Sequence, residues 1–141
     1  MTPQQIALVQ ASFAKVVPIA GTAADLFYGR LFEIAPDVRA LFPSDITAQK
    51  QKLMIMLGTA VGGLSRLDSL MPVIGALGER HAGYGVKVEH FTPVGAALLW
   101  TLAQGLGDEF TPQVEDAWAT AYGLLSQVMI DAMIRKVSMA A

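Results

Sequence analysis

Residues 77 to 91 read LGERHAGYGVKVEHF and surround His81, one of two histidines in the chain. The apolar residues before His81 recur every three or four positions, which is the spacing of one helix face. They are Leu70, Val73, Ile74 and Leu77. Gly83 and Gly85 follow directly and predict the end of that helix. We therefore expect His81 to face an apolar core close to a helix C-terminus.

Two interpretations of His81 follow from its place on an apolar face. An imidazole is costly to bury unless its ring nitrogens find partners. A core histidine meets that need through hydrogen bonds to its neighbours, and this is the commoner case. A metal ligand meets it by binding the metal through one nitrogen while a backbone carbonyl accepts a hydrogen bond from the other. The helix face alone leaves both interpretations open.

The rest of the chain reads as helices separated by single prolines and glycines. The predicted elements cover residues 3 to 17, 22 to 35, 37 to 42, 45 to 65, 68 to 83, 89 to 106 and 112 to about 136. Ser44 or Asp45 is expected to cap the fourth of them. No run shows the alternating polarity of a strand. The sequence therefore predicts an all-α fold of six or seven helices, in one domain spanning residues 1 to 141.

Composition narrows the function classes. Hydrophobic residues make up 53% of the chain and charged residues 16%, against about a quarter charged in an average soluble domain. This predicts either a thick core or an enclosed apolar group. The absence of cysteine excludes disulfides, thiolate metal sites and cysteine nucleophiles. The net charge of −2 argues against nucleic acid as a partner.

The longest stretch without charged residues or histidine runs from residue 91 to 107. Because it contains Thr92, Pro93, Gln104 and several glycines, we expect a buried helix and no membrane span. The chain begins Met-Thr-Pro-Gln-Gln, with no basic residue ahead of an apolar run, so neither a secretory nor a transit peptide is expected. The expected location is cytoplasmic.

Three segments carry a resemblance to a known family. They are LFYGRLFEIAPDVRALF at 26 to 42, LGERHAGYGVKVEHF at 77 to 91 and DAWATAYGLLSQV at 116 to 128. In this order and at these separations, the chain resembles the globins, and among them the single-domain bacterial haemoglobins and the haem domains of flavohaemoglobins. The resemblance spans nearly the whole chain. It implies a globin fold around a haem crevice, haem b as the cofactor, and His81 as the proximal ligand to iron.

The resemblance also implies roles on the distal side of the haem. Phe42, six residues after Pro36, matches a phenylalanine that packs on the haem, and Tyr28 matches a tyrosine whose hydroxyl points at the bound gas. Gln49 and Leu53 match the distal polar residue and the apolar residue that presses on the ligand. The alternatives are an ordinary core aromatic for Phe42, a boundary tyrosine for Tyr28 and a solvated side chain for Gln49.

On the proximal side the resemblance implies that four apolar residues line the porphyrin. They are Leu77, Val86, Phe91 and Val94. Lys52 and Arg80 could reach the haem propionates, although exposed cations on helices are usually only solvated. The haem crevice is expected between the helices that carry Gln49 and His81.

One departure from the family pattern concerns the surroundings of His81. Flavohaemoglobins place a tyrosine and a glutamate near the proximal histidine, which makes that ligand more electron-rich. This chain has Phe91 and Met133 at those positions, so only Tyr122 remains of the polar group. We expect the departure to favour holding oxygen over activating it.

Three functions are therefore compatible with the sequence. The first is reversible binding of oxygen, nitric oxide and carbon monoxide at a haem held by His81, with Tyr28 and Gln49 stabilising the ligand. The second is nitric oxide dioxygenase activity with a separate reductase. The third is a haem-free, globin-like signalling or interaction domain. No pattern distinguishes a monomer from a homodimer.

Overall fold

The computed structural model describes residues 1 to 140, with side chains described as far as Lys136. Over that range the chain forms six α-helices. They are α1 (Pro3–Val16), α2 (Ala20–Ile34), α3 (Thr47–Gly63), α4 (Leu67–Gly83), α5 (Phe91–Leu106) and α6 (Pro112–Ala140). Residues 1 to 140 contain no strand. The predicted all-α fold is confirmed.

The third predicted element, residues 37 to 42, is a 3₁₀ helix, Pro36–Leu41, and not an α-helix. Pro36 begins it, because a proline at the first position gives up only a donor that a helix start does not use. Six α-helices therefore stand at the low end of the predicted number. Other 3₁₀ segments occupy Val17–Ile19, Leu64–Arg66, Val88–His90 and Gly107–Glu109.

Helix α3 begins two residues later than the predicted cap. Its flanking residue is Ile46, which gives no side-chain cap. Asp45 instead accepts hydrogen bonds from the Thr47 backbone N–H at 3.0 Å and from the Thr47 hydroxyl at 2.7 Å. The carboxylate thus satisfies the first N–H of the helix from a turn outside it.

A hydrophobic core joins the helices. Its largest fully buried side chains are Val9, Leu31, Leu64 and Ile74, and burial of each stabilises the fold by roughly 1.5–3 kcal/mol. One polar bridge crosses it, since the Trp118 indole N–H donates to the Ser12 hydroxyl at 2.8 Å. Every fully buried side-chain nitrogen and oxygen in the described part of the chain has a hydrogen-bond partner.

Helices α4 and α6 approach each other closely beside the residues singled out in the sequence. A Cβ on Gly78 would lie 2.5 Å from the Met129 carbonyl oxygen, so the two backbones meet directly. Gly78 precedes His81 by three residues on α4. The absence of a side chain at position 78 therefore sets how closely the helix of His81 lies against α6.

Two stretches are long and apolar enough to cross a membrane by length and composition alone. They are Pro3–Ile34, with a mean hydropathy of 1.5, and Thr47–Gly83, with 1.2. Each consists of two α-helices joined by a 3₁₀ segment, and these four helices have 14 to 17 residues. A membrane-spanning helix typically has about 20 residues. None of these four helices reaches that length by itself.

Candidate functional site

Three aromatic rings form a cluster where α2 meets the 3₁₀ segment before α3. The ring of Tyr28 lies 5.6 Å from Phe42 in an edge-on arrangement and 5.8 Å from Phe32, and Phe32 lies 5.7 Å from Phe42. Tyr28 is 4% exposed. Edge-on and tilted pairs at these separations are favourable. We call Tyr28, Phe32 and Phe42 the aromatic cluster.

Gln49, in the first turn of α3, reaches the aromatic cluster. Its side-chain Nε2 donates a hydrogen bond to the Tyr28 hydroxyl oxygen at 3.3 Å. Burial raises the pKa of Tyr28, and the hydrogen bond from Gln49 opposes that rise. Tyr28 therefore stays protonated at neutral pH. Because its oxygen already accepts from Gln49, its own proton is available for another acceptor.

An ion pair ties α2 to α3 beside this hydrogen bond. The Lys50 ammonium lies 2.8 Å from the Asp25 carboxylate, and Lys50 follows Gln49 in sequence while Asp25 precedes Tyr28 by three residues. Both side chains are at least one-third exposed, so the pair adds little stability. Its geometric effect is to hold the first turn of α3 against α2.

Arg39 lies over the other side of the aromatic cluster. Its guanidinium lies 5.2 Å from the centre of the Phe32 ring. It also donates to the carbonyl oxygens of Phe42 at 3.3 Å, Pro43 at 2.8 Å and Ser44 at 3.0 Å. The sequence prediction did not include Arg39. The only sequence signal for Arg39 was its position in the motif PDVRALF. Backbone carbonyl groups are the same in every residue, so a sequence does not show which of them a side chain binds.

His81 lies near the C-terminal end of α4 and is half-buried. Its Nδ1 lies 2.8 Å from the Leu77 carbonyl oxygen. Because a carbonyl can only accept, Nδ1 carries the proton and the Nε2 lone pair is free. Burial lowers the pKa of His81, the Arg80 charge lowers it further, and the bond to Leu77 opposes both. His81 is therefore neutral near pH 7, the form that binds a metal through Nε2.

The turn after α4 is organised around the His81 backbone. The carbonyl of His81 accepts from the Tyr84 and Val86 backbone N–H groups, at 3.1 and 3.2 Å. Gly85 has φ +84°, a conformation that other residues rarely adopt. The Tyr84 ring lies 5.7 Å from the His81 ring and is 60% exposed. Sequence reasoning did not single out Tyr84.

The second histidine, His90, lies beside polar groups of the protein. His90 Nδ1 accepts from the Lys87 backbone N–H at 3.0 Å, and its Nε2 lies 3.8 Å from an Asp37 carboxylate oxygen. At 3.8 Å the contact of His90 Nε2 with Asp37 is too long for a hydrogen bond. The two histidines differ at Nδ1, because that of His90 accepts a hydrogen bond whereas that of His81 donates one, which leaves the His81 Nε2 lone pair free to bind a metal.

Tyr122 faces the start of α5. Its hydroxyl donates to the Phe91 carbonyl oxygen at 2.6 Å, and burial raises its pKa. A Cβ on Gly95 would lie 2.6 Å from the Tyr122 ring, so the glycine makes room for it. Phe91 and Met133 are both buried. Tyr122, the one polar residue of the family pattern present here, is thus bound to a backbone carbonyl. The two other positions of that pattern hold apolar residues.

The remaining predicted site residues fall into two groups. Leu53 and Val94 are partly buried against the hydrophobic core, as is Phe42, and Leu77 and Val86 are also partly buried. Lys52 and Arg80 are exposed, and neither forms an ion pair with a described residue. Their contacts with haem propionates stay predictions.

A small cavity of about 20 Å³ lies on the Leu53 side of the core. Besides Leu53, its walls include Phe27, Leu57, Thr101 and Trp118. Thr101 donates to the Ala97 carbonyl and the Trp118 indole donates to Ser12, so neither group has a donor left for a guest. The cavity is therefore apolar in character. His81 does not line it.

The donor set around His81 fits one kind of metal group. No cluster of three or more His, Cys, Asp or Glu residues able to hold a metal ion occurs in the part of the chain that the structure describes. A metal bound by His81 would therefore need its other ligands from a non-protein group. A porphyrin supplies four nitrogens and leaves one axial position to a histidine, so the residues present are compatible with haem.

Comparison with known proteins finds relatives among the flavohemoproteins. The chain is 32% identical over 114 residues to the flavohemoprotein of Bacillus subtilis, a match covering 77% of this chain and 28% of that protein. It is 31% identical over 134 residues to the flavohemoprotein of Bordetella parapertussis, covering 92% of this chain and 33% of the relative. The chain therefore spans about a third of the length of these curated relatives.

Solved structures share the fold. A bacterial globin from Campylobacter jejuni superimposes with a TM-score of 0.80 at 24% identity, over 97% of this chain and 99% of that chain. An engineered carbene transferase, described as a candidate nitric oxide dioxygenase from Rhodothermus marinus, gives 0.89 at 24% identity, over 99% and 98%. At these identities the similarity shows the fold alone.

A match to a family model establishes the family of the chain. The Globin family model matches residues 25–129, which is well over half of the chain. That range includes Tyr28, Phe42, Gln49, His81 and Tyr122. The chain therefore belongs to the globin family, as a bacterial-type globin similar to the haem domains of flavohaemoglobins.

Proposed function

We propose that the chain binds haem b, with His81 Nε2 as the proximal ligand to iron, and takes up oxygen and other diatomic gases reversibly on the opposite face. The observation that carries the proposal is the hydrogen bond from His81 Nδ1 to the Leu77 carbonyl, 2.8 Å long. It fixes the ring and leaves the Nε2 lone pair free for a metal. Membership of the globin family supports haem as that metal group.

Haem iron in the ferrous state supplies reversible binding of oxygen, nitric oxide and carbon monoxide. The chain supplies the surroundings. With haem in place, the Tyr28 hydroxyl would donate a hydrogen bond to the gas, while Gln49 holds the phenol by donating to its oxygen. Phe42 and Leu53 form the apolar wall of that side and exclude water.

The opposite wall consists of the predicted porphyrin-lining residues. They are Leu77, Val86, Phe91 and Val94. Tyr122 fixes the start of α5 through its bond to the Phe91 carbonyl. We assign Lys52 and Arg80, both exposed at the surface, to the two propionates.

The surroundings of His81 favour a carrier over an enzyme. Its Nδ1 partner is a neutral carbonyl. Phe91 and Met133, at the positions where the family pattern has a tyrosine and a glutamate, are buried and uncharged. A carboxylate partner would make the histidine a stronger electron donor to iron. Without that partner, the site is suited to holding oxygen.

An oxygen titration tests the carrier function. We expect the reduced protein to bind oxygen and release it on deoxygenation through repeated cycles. Rapid, irreversible oxidation at the first exposure to oxygen would contradict a carrier.

Nitric oxide dioxygenase activity is the second candidate, favoured by the paired Tyr28 and Gln49 and by the similarity to flavohemoproteins. The chain spans about a third of the length of those relatives. The proposal includes reduction of the iron by a separate reductase. Nitric oxide consumption is to be measured with a generic flavin reductase and a nicotinamide donor. Sustained turnover would favour the enzyme, and a single stoichiometric reaction the carrier.

The third hypothesis, a haem-free interaction domain, is tested by the same preparation. Supplying haemin and recording the visible spectrum separates it from both haem functions.

The proposal also includes a cytoplasmic location and a monomeric or homodimeric state. Size-exclusion chromatography with light scattering tests the oligomeric state.

A further inference from the structure

We propose that Arg39 is a positioning residue for the distal side of the site. In this role it fixes the segment of residues 42 to 46, which connects Phe42 to α3, and thereby sets the approach of Gln49 to Tyr28. The inference rests on the proposed haem-binding function. It assigns no contact between Arg39 and the bound gas.

The first observation is a convergence of three consecutive carbonyl groups on one guanidinium. Nη1 of Arg39 donates to the carbonyls of Phe42 and Pro43, and Nη2 donates to that of Ser44. Together with the bond from the Phe42 N–H to the Arg39 carbonyl, 3.1 Å long, these contacts close residues 39 to 44 into one unit. Arg39 therefore holds residues 42 to 44, and Asp45 holds the next residues through its bonds to Thr47.

The second observation is the contact of Arg39 with the aromatic cluster. Its guanidinium lies 5.2 Å from the centre of the Phe32 ring, and Phe32 packs on both Tyr28 and Phe42. Arg39 is half-buried and forms no ion pair with any carboxylate in the described part of the chain. Its charge is therefore directed to the ring face and the carbonyls.

These two contacts connect the aromatic cluster to α3. The residues bound by Arg39 lie three to five positions before Thr47, where α3 begins, and Gln49 lies in the first turn. A change in the direction of the segment would move Gln49 relative to the Tyr28 hydroxyl, 3.3 Å away. The Lys50–Asp25 ion pair restrains the turn from its other side, but it is partly exposed and weak.

Lysine cannot replace arginine in this arrangement. A planar guanidinium donates to several acceptors in fixed directions while its face stacks on a ring, whereas an ammonium is a compact, strongly hydrated charge. Arg39→Lys therefore keeps the charge and removes the geometry. It is a sharper test than a neutral variant.

The test compares Arg39→Lys with Arg30→Lys in the haem-loaded protein. Arg30 also lies over an aromatic ring, that of Trp100, at 5.2 Å, and pairs with Glu33 at 3.5 Å, but it binds no carbonyl of the segment. The readouts are the oxygen dissociation rate, the infrared C–O stretching frequency of the carbon monoxide complex, and hydrogen exchange of residues 42 to 50.

For Arg39→Lys we expect oxygen dissociation roughly 3- to 10-fold faster, a higher C–O stretching frequency, and faster exchange in residues 42 to 50. Arg30→Lys should keep all three at wild-type values even if its melting temperature falls. If Arg39→Lys binds haem and keeps the wild-type dissociation rate and C–O frequency, Arg39 has no positioning role. If wild-type protein binds no haem, the proposed function itself fails.

Discussion

The amide of Gln49 donates to the Tyr28 oxygen at 3.3 Å, and this direction decides what Tyr28 can do. A phenol whose oxygen accepts keeps its proton for another acceptor. Since burial raises the pKa of Tyr28, the proton stays on the oxygen at neutral pH. In its proposed role, the hydrogen bond that Tyr28 would offer a bound gas is therefore independent of pH in the physiological range.

Tyr28→Phe removes that donor and leaves the ring in the aromatic cluster. We expect oxygen to dissociate about tenfold faster, which corresponds to the loss of one hydrogen bond of roughly 1.4 kcal/mol. Carbon monoxide, a weaker acceptor, should dissociate at nearly the wild-type rate. Stopped-flow ligand replacement measures both, with Tyr84→Phe as a control that removes an exposed phenol hydroxyl. An unchanged oxygen rate would remove Tyr28 from the site.

Tyr122 predicts a dependence of stability on alkaline pH. Burial raises its pKa above the ordinary value of 10.0. Below pH 10 both folded and unfolded chains keep the proton, so stability does not depend on this group. Above it the unfolded tyrosine ionises first, and stability falls by about 1.4 kcal/mol per pH unit until the folded pKa is reached.

Urea unfolding of the haem-loaded protein at pH 9 and pH 11 measures this loss. We expect a smaller loss in Tyr122→Phe than in wild type, because the variant has no proton to lose at position 122. Tyr84→Phe changes an exposed side chain and serves as the control. Equal losses in wild type and Tyr122→Phe would contradict this assignment.

Some contacts of single residues were accessible from the sequence and others were not. Family spacing predicted that Tyr28 and Gln49 belong to one site, and the structure brings them within hydrogen-bond distance. Their roles toward a bound gas stay predictions. Arg39 and Tyr84 were missed, because stacking on a ring and binding to backbone carbonyls depend on chain direction in three dimensions.

Among the helices, the close contact of α4 with α6 positions His81. Gly78 permits it, since a Cβ there would lie 2.5 Å from the Met129 carbonyl oxygen. Backbone atoms cannot move aside as a flexible side chain can. Any side chain at position 78 must therefore push the two helices apart.

Gly78→Ala should destabilise the protein by about 1–3 kcal/mol, the usual cost of overpacking. It should also weaken haem retention, because α4 carries His81 one turn later. Gly75→Ala is the matched control on the same helix, since a Cβ added there would meet no atom within 4 Å, and it should stabilise by about 1 kcal/mol. Urea unfolding and haem transfer to apomyoglobin measure the two effects. Equal stability of the two variants would refute the close contact.

The helices themselves were largely predictable from periodicity and from proline and glycine positions. The errors lie at the boundaries. The segment after Pro36 is a 3₁₀ helix, and α3 begins at Thr47 and not directly after Asp45. Backbone bonds between residues three apart close the 3₁₀ helix, such as that from the Phe42 N–H to the Arg39 carbonyl, and Asp45 accepts from the first N–H of α3. Periodicity does not report such bonds.

At the scale of the whole molecule, the chain is a globin that spans about a third of its flavohemoprotein relatives. The fold class was predictable because the helix pattern and three motifs agree over nearly the whole chain. The position of Tyr28 relative to His81 was less predictable, because the sequence does not show how the helices that carry these two residues are oriented to each other.

A haemin titration followed by visible spectroscopy tests the central claim, that His81 holds a haem iron. We predict a Soret band that saturates at one haemin per chain. After reduction, His81→Ala should lack the spectrum of a histidine-ligated ferrous haem and should regain it on addition of imidazole. A wild-type protein that gives no Soret band with haemin, or a His81→Ala variant with the wild-type spectrum, would contradict the account.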